Sequence, residues 1–211
     1  MLLAAAGVAC RTAASPPRPQ APEASGPVVV RPGAPGEPST VGTAPSVPVN
    51  IGHVEADVEF MQGMIGHHAQ ALEMVNLLET RTQNPDMKML ALRIKVSQED
   101  EIRFMRRWLE VRGAPVPGEH AHHAQGFTLM PGMLTPDEMA RLAGATGAAF
   151  DRLFLEYMIT HHDGALVMVN ELFKKDGAGQ ESEIHAFASD VIADQQMEID
   201  RMAGMLRGMK K

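Results

Sequence analysis

Two stretches of this chain repeat one another, and what repeats is an apolar helix face interrupted by paired histidines. Phe60–Leu78 (FMQGMIGHHAQALEMVNLL) and Phe154–Leu172 (FLEYMITHHDGALVMVNEL) agree at 11 of 19 positions at an offset of 94. Asp57 and Asp151 extend the match upstream. On a wheel of about 100° per residue, Asp57, Phe60, Met61, His67, His68, Ala71, Val75 and Leu78 fall within roughly 60° of Met64. Glu55, Glu59, Gln62 and Glu73 lie on the far side. The pattern predicts a helix over about 54–82 whose buried stripe contains imidazoles.

The repeat extends to a second segment. Gln98–Leu109 matches Gln195–Leu206 at an offset of 97, with Gln, Glu, Ile, Met and the last Leu in register. Asn84-Pro85 ends the first helix and opens the next, with Asn84 as cap and Pro85 in the first turn. That helix runs to about Arg112, with a core stripe of Met87, Ile94, Gln98, Glu101, Ile102, Met105 and Leu109. The duplicated unit is therefore a helical hairpin. Two hairpins, 53–112 and 136–211, each with an apolar stripe, bury those stripes by packing together as an all-α four-helix bundle. The connection Gly113–Leu134 is long enough to cross the bundle. Thr135–Glu138 (TPDE) opens a short extra helix through a capping box, and Gly144–Gly147 (GATG) breaks it. The last two helices are expected over about 148–175 and 180–209.

Ten of the fifteen prolines lie between Arg11 and Asn50, with four glycines and few large apolar residues. Such a segment buries too little surface to offset its ordering entropy, so 11–52 reads as a disordered tether. Residues 1–10 (MLLAAAGVAC) read as a truncated signal segment ending like a lipobox, with Cys10 the lipidated residue; the run is too short to span a bilayer. The net charge of −7 and nine aromatic residues give no basic patch with interleaved rings, which excludes nucleic-acid binding as the expected function.

His67 and His68 straddle Met64 on the wheel, and His161 and His162 straddle Met158. Either imidazole can meet the thioether one turn earlier. Buried polar groups cost stability unless paired. Four imidazoles with Asp57, Asp151, Gln98, Gln195, Glu101 and Glu198 facing one interior therefore require a reason, and metal binding is one. A carboxylate-bridged di-iron bundle would need Glu-x-x-His on two helices. Met64, Ile65, Met158 and Ile159 occupy those positions instead. A thioether in place of a carboxylate shifts preference toward copper, Cu(I) above all, and zinc with His and carboxylate ligands stays open. Sixteen methionines point the same way, although Met105, Met202 and their like also serve as core filler. The loop EHAHHAQGFTLMPGM adds Glu119, His120, His122, His123, Met130 and Met133 as an accessory capture site or a solvated loop.

These segments (DVEFMQGMIGHHAQALEM, PGMLTPDEMARL, FDRLFLEYMITHHDGALVM and the Gln/Glu/Met stretches) resemble the bacterial family catalogued as domain of unknown function 305. The resemblance covers about 53–206. It implies a ferritin-like four-helix bundle, often exported, linked to copper binding or copper tolerance. It implies Met64, His67, His68, Met158, His161 and His162 as ligands, with Asp57 and Asp151 as structural or supporting acids. Here the inter-hairpin loop carries histidines where mainly methionines and glycines would be expected. Three functions follow as expectations. The leading one is an extracytoplasmic copper-sequestering protein without catalysis, whose partners are the metal ion, a copper-delivery protein and, through Cys10 alone, a membrane. The others are a ferritin-like dinuclear oxidase using Glu101 and Glu198, with iron, and a purely structural bundle.

Overall fold

The computed structural model of the chain describes residues 28–31, 40–43, 52–118, 120–124 and 126–209. The lipobox-like segment with Cys10, most of the expected tether and Glu119 lie outside them. The chain divides into two units, Met1–Val49 and Asn50–Lys211. In the first, β1 (Val28–Arg31) pairs antiparallel with β2 (Thr40–Thr43), Val28 opposite Thr43 and Arg31 opposite Thr40. The tether reading did not anticipate this ribbon: three consecutive valines favour extended backbone, and the surrounding prolines obscured them.

The second unit is all-α. Helix α1 (Glu55–Arg81) and α2 (Pro85–Val111) form one hairpin, α4 (Gly147–Lys174) and α5 (Ser182–Gly208) the other, with α3 (Pro136–Gly144) between them. The local signals act as expected from their chemistry. The Asn84 side chain accepts from the Asp86 amide with Pro85 at the first position of α2. Thr135 and Glu138 cap α3 reciprocally. Helix α3 stops at Gly144 and α4 starts at Gly147.

The hairpins pack through α1 against α4, in antiparallel sense. Asp57, in the first turn of α1, accepts from the Val54 amide (2.9 Å) and from the Gly179 amide in the α4–α5 turn (2.7 Å). Asp151, at the start of the second turn of α4, accepts from the Asn84 side chain in the α1–α2 turn (3.4 Å). The repeated acids thus tie each hairpin's entry to the other's turn. At the α2 C-terminus, Trp108 donates to Glu181 (3.3 Å) and Arg112 pairs with Glu181 and Glu183. The chain therefore leaves α2 at one end of the bundle and enters α4 at the other, so 112–146 crosses the full length, as in ferritin-like topology. Among the described residues no helix is long and apolar enough to cross a membrane.

The core is divided in two. One apolar cluster gathers Phe60, Met61, Met64, Met105, Leu109, Val169 and Val191; the other gathers Met74, Met87, Ile94, Phe150, Phe154, Met158 and Met202. The first draws its buried methionines from the first hairpin alone, the second from both. What separates them is a polar layer.

Candidate metal centre

The layer is built by the repeat. The rings of His67 on α1 and His161 on α4 stand face to face, centroids 3.9 Å apart and tilted by 39°. On either flank, His68 donates through Nε2 to Glu101 Oε2 on α2, and His162 donates through Nε2 to Glu198 Oε2 on α5 at 2.6 Å. Ser97 donates to the other Glu101 oxygen at 3.3 Å. One turn before each glutamate stands a buried glutamine, Gln98 or Gln195. The four histidines, both glutamines and Glu198 are between 0 and 4 % exposed.

A single strand of the connection breaks the symmetry. The strap Met130–Met133 passes over α1 and α4, and the Pro131 carbonyl accepts from His67 Nε2 at 3.0 Å. Gln70 then holds Leu134 by both backbone groups, donating to its carbonyl at 2.9 Å and accepting from its amide at 2.7 Å. His161, the repeat mate of His67, receives no such carbonyl, and neither ring nitrogen has a hydrogen-bond partner.

These contacts settle the tautomers. Pro131 O, Glu101 and Glu198 are acceptors, so Nε2 of His67, His68 and His162 carries the proton and Nδ1 keeps its lone pair. All three Nδ1 atoms are buried and without a partner, as are Gln98 Oε1 and Gln195 Oε1. Native proteins leave few such groups orphaned. Here they collect in one layer. An imidazole whose far nitrogen donates to a carboxylate or carbonyl is the arrangement that orients a histidine for a metal ion. The rings are therefore oriented as metal-binding histidines are, although no three ligand atoms of the layer's histidines and glutamates lie within 4.8 Å of one another in the metal-free chain.

Electrostatics agree. Complete burial, then the nearness of His68, pushes His67 down to about 3 against the pull of the Pro131 carbonyl. Burial, then His67 and His162, holds His161 well below the ordinary range. Both rings are neutral at physiological pH. Burial works to raise Glu101, but the His68 imidazole and its hydrogen bond prevail and hold that carboxyl below its usual range. Asp194, on the α2–α5 side, is raised by burial and by the charges of Glu101 and Glu198. The layer thus offers two neutral imidazoles, His67 and His161, flanked by the His68–Glu101 and His162–Glu198 pairs, with Glu198 lining a cleft of about 580 Å³ between α2 and α5.

A pH dependence follows with a definite sign. Between about 6.5 and 3 the unfolded chain binds a proton at position 67 that the folded metal-free chain does not, and His161, also held below its ordinary range by burial, acts in the same direction. The chain's stability therefore falls on acidification, by about 1.4 kcal/mol per pH unit for His67. Urea unfolding at pH 5.0 should show at least about 2 kcal/mol less stability than at pH 7.5 from His67, with His161 adding in the same sense. Equal stability at the two values would mean that these rings titrate in the folded state.

The other expected site residues fall elsewhere. Asp57 and Asp151 sit about 15 Å along their helices from the histidines, with the end-tying contacts already described. Met105 and Met202 are fully buried within the two apolar clusters. Met130 lies over α1, its sulfur 3.1 Å from where a Cβ on Gly63 would stand, and Met133 is buried. His120, His122 and His123 stay in the loop, at and beside a short 3₁₀ turn, Ala121–His123. The sequence reading did not find Pro131, Gln70 or Glu73; of these only the MPGM spacing carried a signal, a proline-glycine turn opposite small residues.

Fold and site together define an all-α bundle with a buried layer of histidine, glutamine and glutamate at its middle. The sequence profile described as "Domain of unknown function (DUF305)" matches residues 57–206, and the chain belongs to that family. A crystal structure of a presumed secreted DUF305 protein from Streptomyces coelicolor superposes with a TM-score of 0.62 at 29% identity, covering 74% of this chain and 94% of that one. CopM in its Cu(II)-bound form gives 0.58 at 29% identity, covering 72% and 96%, and its Cu(I)-bound form gives 0.57. CopM is also known in silver-bound and metal-free forms. The uncharacterized protein L153 of Acanthamoeba polyphaga mimivirus is 39% identical over 56 residues, a span of 26% of this chain and 37% of that protein.

Proposed function

We propose that this protein binds copper, preferentially Cu(I), in the polar layer of its bundle and sequesters it or passes it to a delivery protein without catalysing a reaction. The ligands are His67, His68, His161 and His162, with the thioethers of Met64 and Met158 one turn before each pair. The carrying observation is the set of buried, unpartnered Nδ1 atoms whose Nε2 protons are already committed to Pro131, Glu101 and Glu198. Glu101 and Glu198 act through the imidazoles, fixing the ring orientation and raising the basicity of Nδ1. Softness selects the metal: thioether and imidazole suit Cu(I) better than iron, and neither pair has a Glu three residues earlier to bridge a di-iron centre. CopM, described with Cu(I) and with silver, another soft monovalent ion, supports the choice. An extracytoplasmic location with a lipid anchor on Cys10 fits the presumed secreted relative and the N-terminal sequence.

The test is anaerobic loading followed by elemental analysis. Stoichiometric copper retained through desalting is the expected result. Iron retention with oxygen consumption would transfer the site to the oxidase reading, and no metal above background would leave the histidines as structural groups.

A further inference from the structure

Outside the polar layer, α1 presents a carboxylate to the crossing connection. Glu73 lies nine residues after Met64, on the opposite side of the wheel. The Ala121–His123 turn brings two imidazoles onto it. His122 Nε2 stands 3.0 Å and His123 Nε2 2.6 Å from the same Glu73 Oε1. The two rings are 4.1 Å apart between centroids. His122 is 7 % exposed, its Cβ lies 3.7 Å from where a side chain on Gly66 would begin, and its Nδ1 is buried with no partner. His123, in contrast, is open to solvent.

We propose that Glu73, His122 and His123 form a second metal site, separate from the histidine layer, that takes a divalent ion of the Cu(II) class. The three residues bring one ligand atom each within 4.8 Å of the others. The donors are two nitrogens and one oxygen, with no sulfur, and this set suits Cu(II) or Zn(II) where the layer's thioethers suit Cu(I). Affinity separates the two divalent ions: a nitrogen/oxygen site binds Cu(II) more tightly than Zn(II). In the metal-free chain the two imidazoles stand at hydrogen-bond distance from the carboxylate, 3.0 and 2.6 Å, and a bound cation would replace those contacts. Room for a further ligand exists. Glu73, His120 and His122 line a cleft of about 310 Å³ whose other walls include Asn76 and Arg106, and the His120 ring is 6.0 Å from that of His123. The two oxidation states of copper would then be held in different places, Cu(II) at the surface and Cu(I) inside.

The experiment uses the full chain without an affinity tag, titrated in air with copper sulfate and, in parallel, with zinc sulfate. Cu(II) is followed by electron paramagnetic resonance. One equivalent with a tetragonal nitrogen/oxygen signal is expected, lost in both E73Q and H123Q and kept in a protein carrying M64L and M158L. His123 is exposed, so H123Q preserves the fold, and circular dichroism checks that it does. Retention of the signal in E73Q and H123Q would overturn the proposal, as would its loss in the methionine variant. Zinc bound without a tetragonal copper signal would overturn the assignment to Cu(II). Failure of the polar layer to load Cu(I) would leave these outcomes unaffected, so the two sites stand or fall separately.

Discussion

Replacing Met64 and Met158 together by leucine should weaken Cu(I) binding beyond the roughly 10–100-fold that a supporting residue costs, while leaving the bundle folded. The substitution isolates sulfur. Leucine and methionine have similar helix propensity, and a volume-conserving swap in a packed core costs less than about 1.5 kcal/mol. Both methionines are completely buried, one in each apolar half, directly above and below the polar layer along their own helices. Each precedes its histidine pair by three and four residues, so a thioether can approach either ring over one turn. Competition with a chromophoric Cu(I) chelator under nitrogen measures the affinity, and a thermal melt checks the fold. A double variant that competes as well as the wild type would show that sulfur only packs here and that imidazoles alone carry the copper.

The pattern also explains why a stable bundle tolerates such a layer. Continuous apolar packing would be the stronger core, and orphaned acceptors cost about 1–3 kcal/mol each. Two full apolar clusters on either side offset that cost, because each half is closed by residues from all four long helices. The polar layer is then a local sacrifice within a fold held from both ends. Asp57 and Asp151 reinforce this by tying the start of each hairpin to the opposite hairpin's connection.

Much of this was readable from periodicity and repetition. Every wheel neighbour assigned to Met64 is buried, and the caps at Asn84 and Thr135 act as their residue types dictate. In α2 the stripe was read too narrowly: Leu90 and Trp108 are core, and Ile102 is only half-buried. The imidazole partners were legible in part, since Glu101 and Glu198 share the repeat register. The stacking of His67 on His161 was not, because a repeat gives each face without saying which faces meet. Glu73 was placed correctly on the outer side and thereby passed over, as its partners arrive from a loop 49 and 50 residues away. The strap escaped for the same reason. A carbonyl contact from Pro131 is a backbone event, and side-chain patterns do not record it.

Gly164→Ala should be the most damaging small substitution in the bundle, because it acts on that strap. A Cβ at Gly164 would coincide with the Pro131 carbonyl and crowd the Gly132 Cα, and all of these are backbone atoms with no side chain to swing away. Gly132 itself adopts φ +76° and packs on the Thr160 carbonyl, so the strap can relieve the clash only by moving away from α4, against the His67–Pro131 and Gln70–Leu134 hydrogen bonds. Alanine would add about 1 kcal/mol of helix propensity. Against this stand an overpacking cost of about 1–3 kcal/mol or more and a further 1–3 kcal/mol if His67 loses its acceptor. The net expectation is a loss of about 2–4 kcal/mol in urea unfolding, with faster hydrogen exchange at the Leu134 amide that Gln70 holds. Gly63→Ala is the matched control. The nearest atom there is the Met130 sulfur at 3.1 Å, the mobile end of a flexible side chain, so its cost should stay below about 1 kcal/mol. If both variants unfold at the wild-type midpoint, the close crossing of the strap over α4 is wrong. If only Gly164→Ala falls, the polar layer owes its one-sided cover to a glycine on each of two crossing backbones.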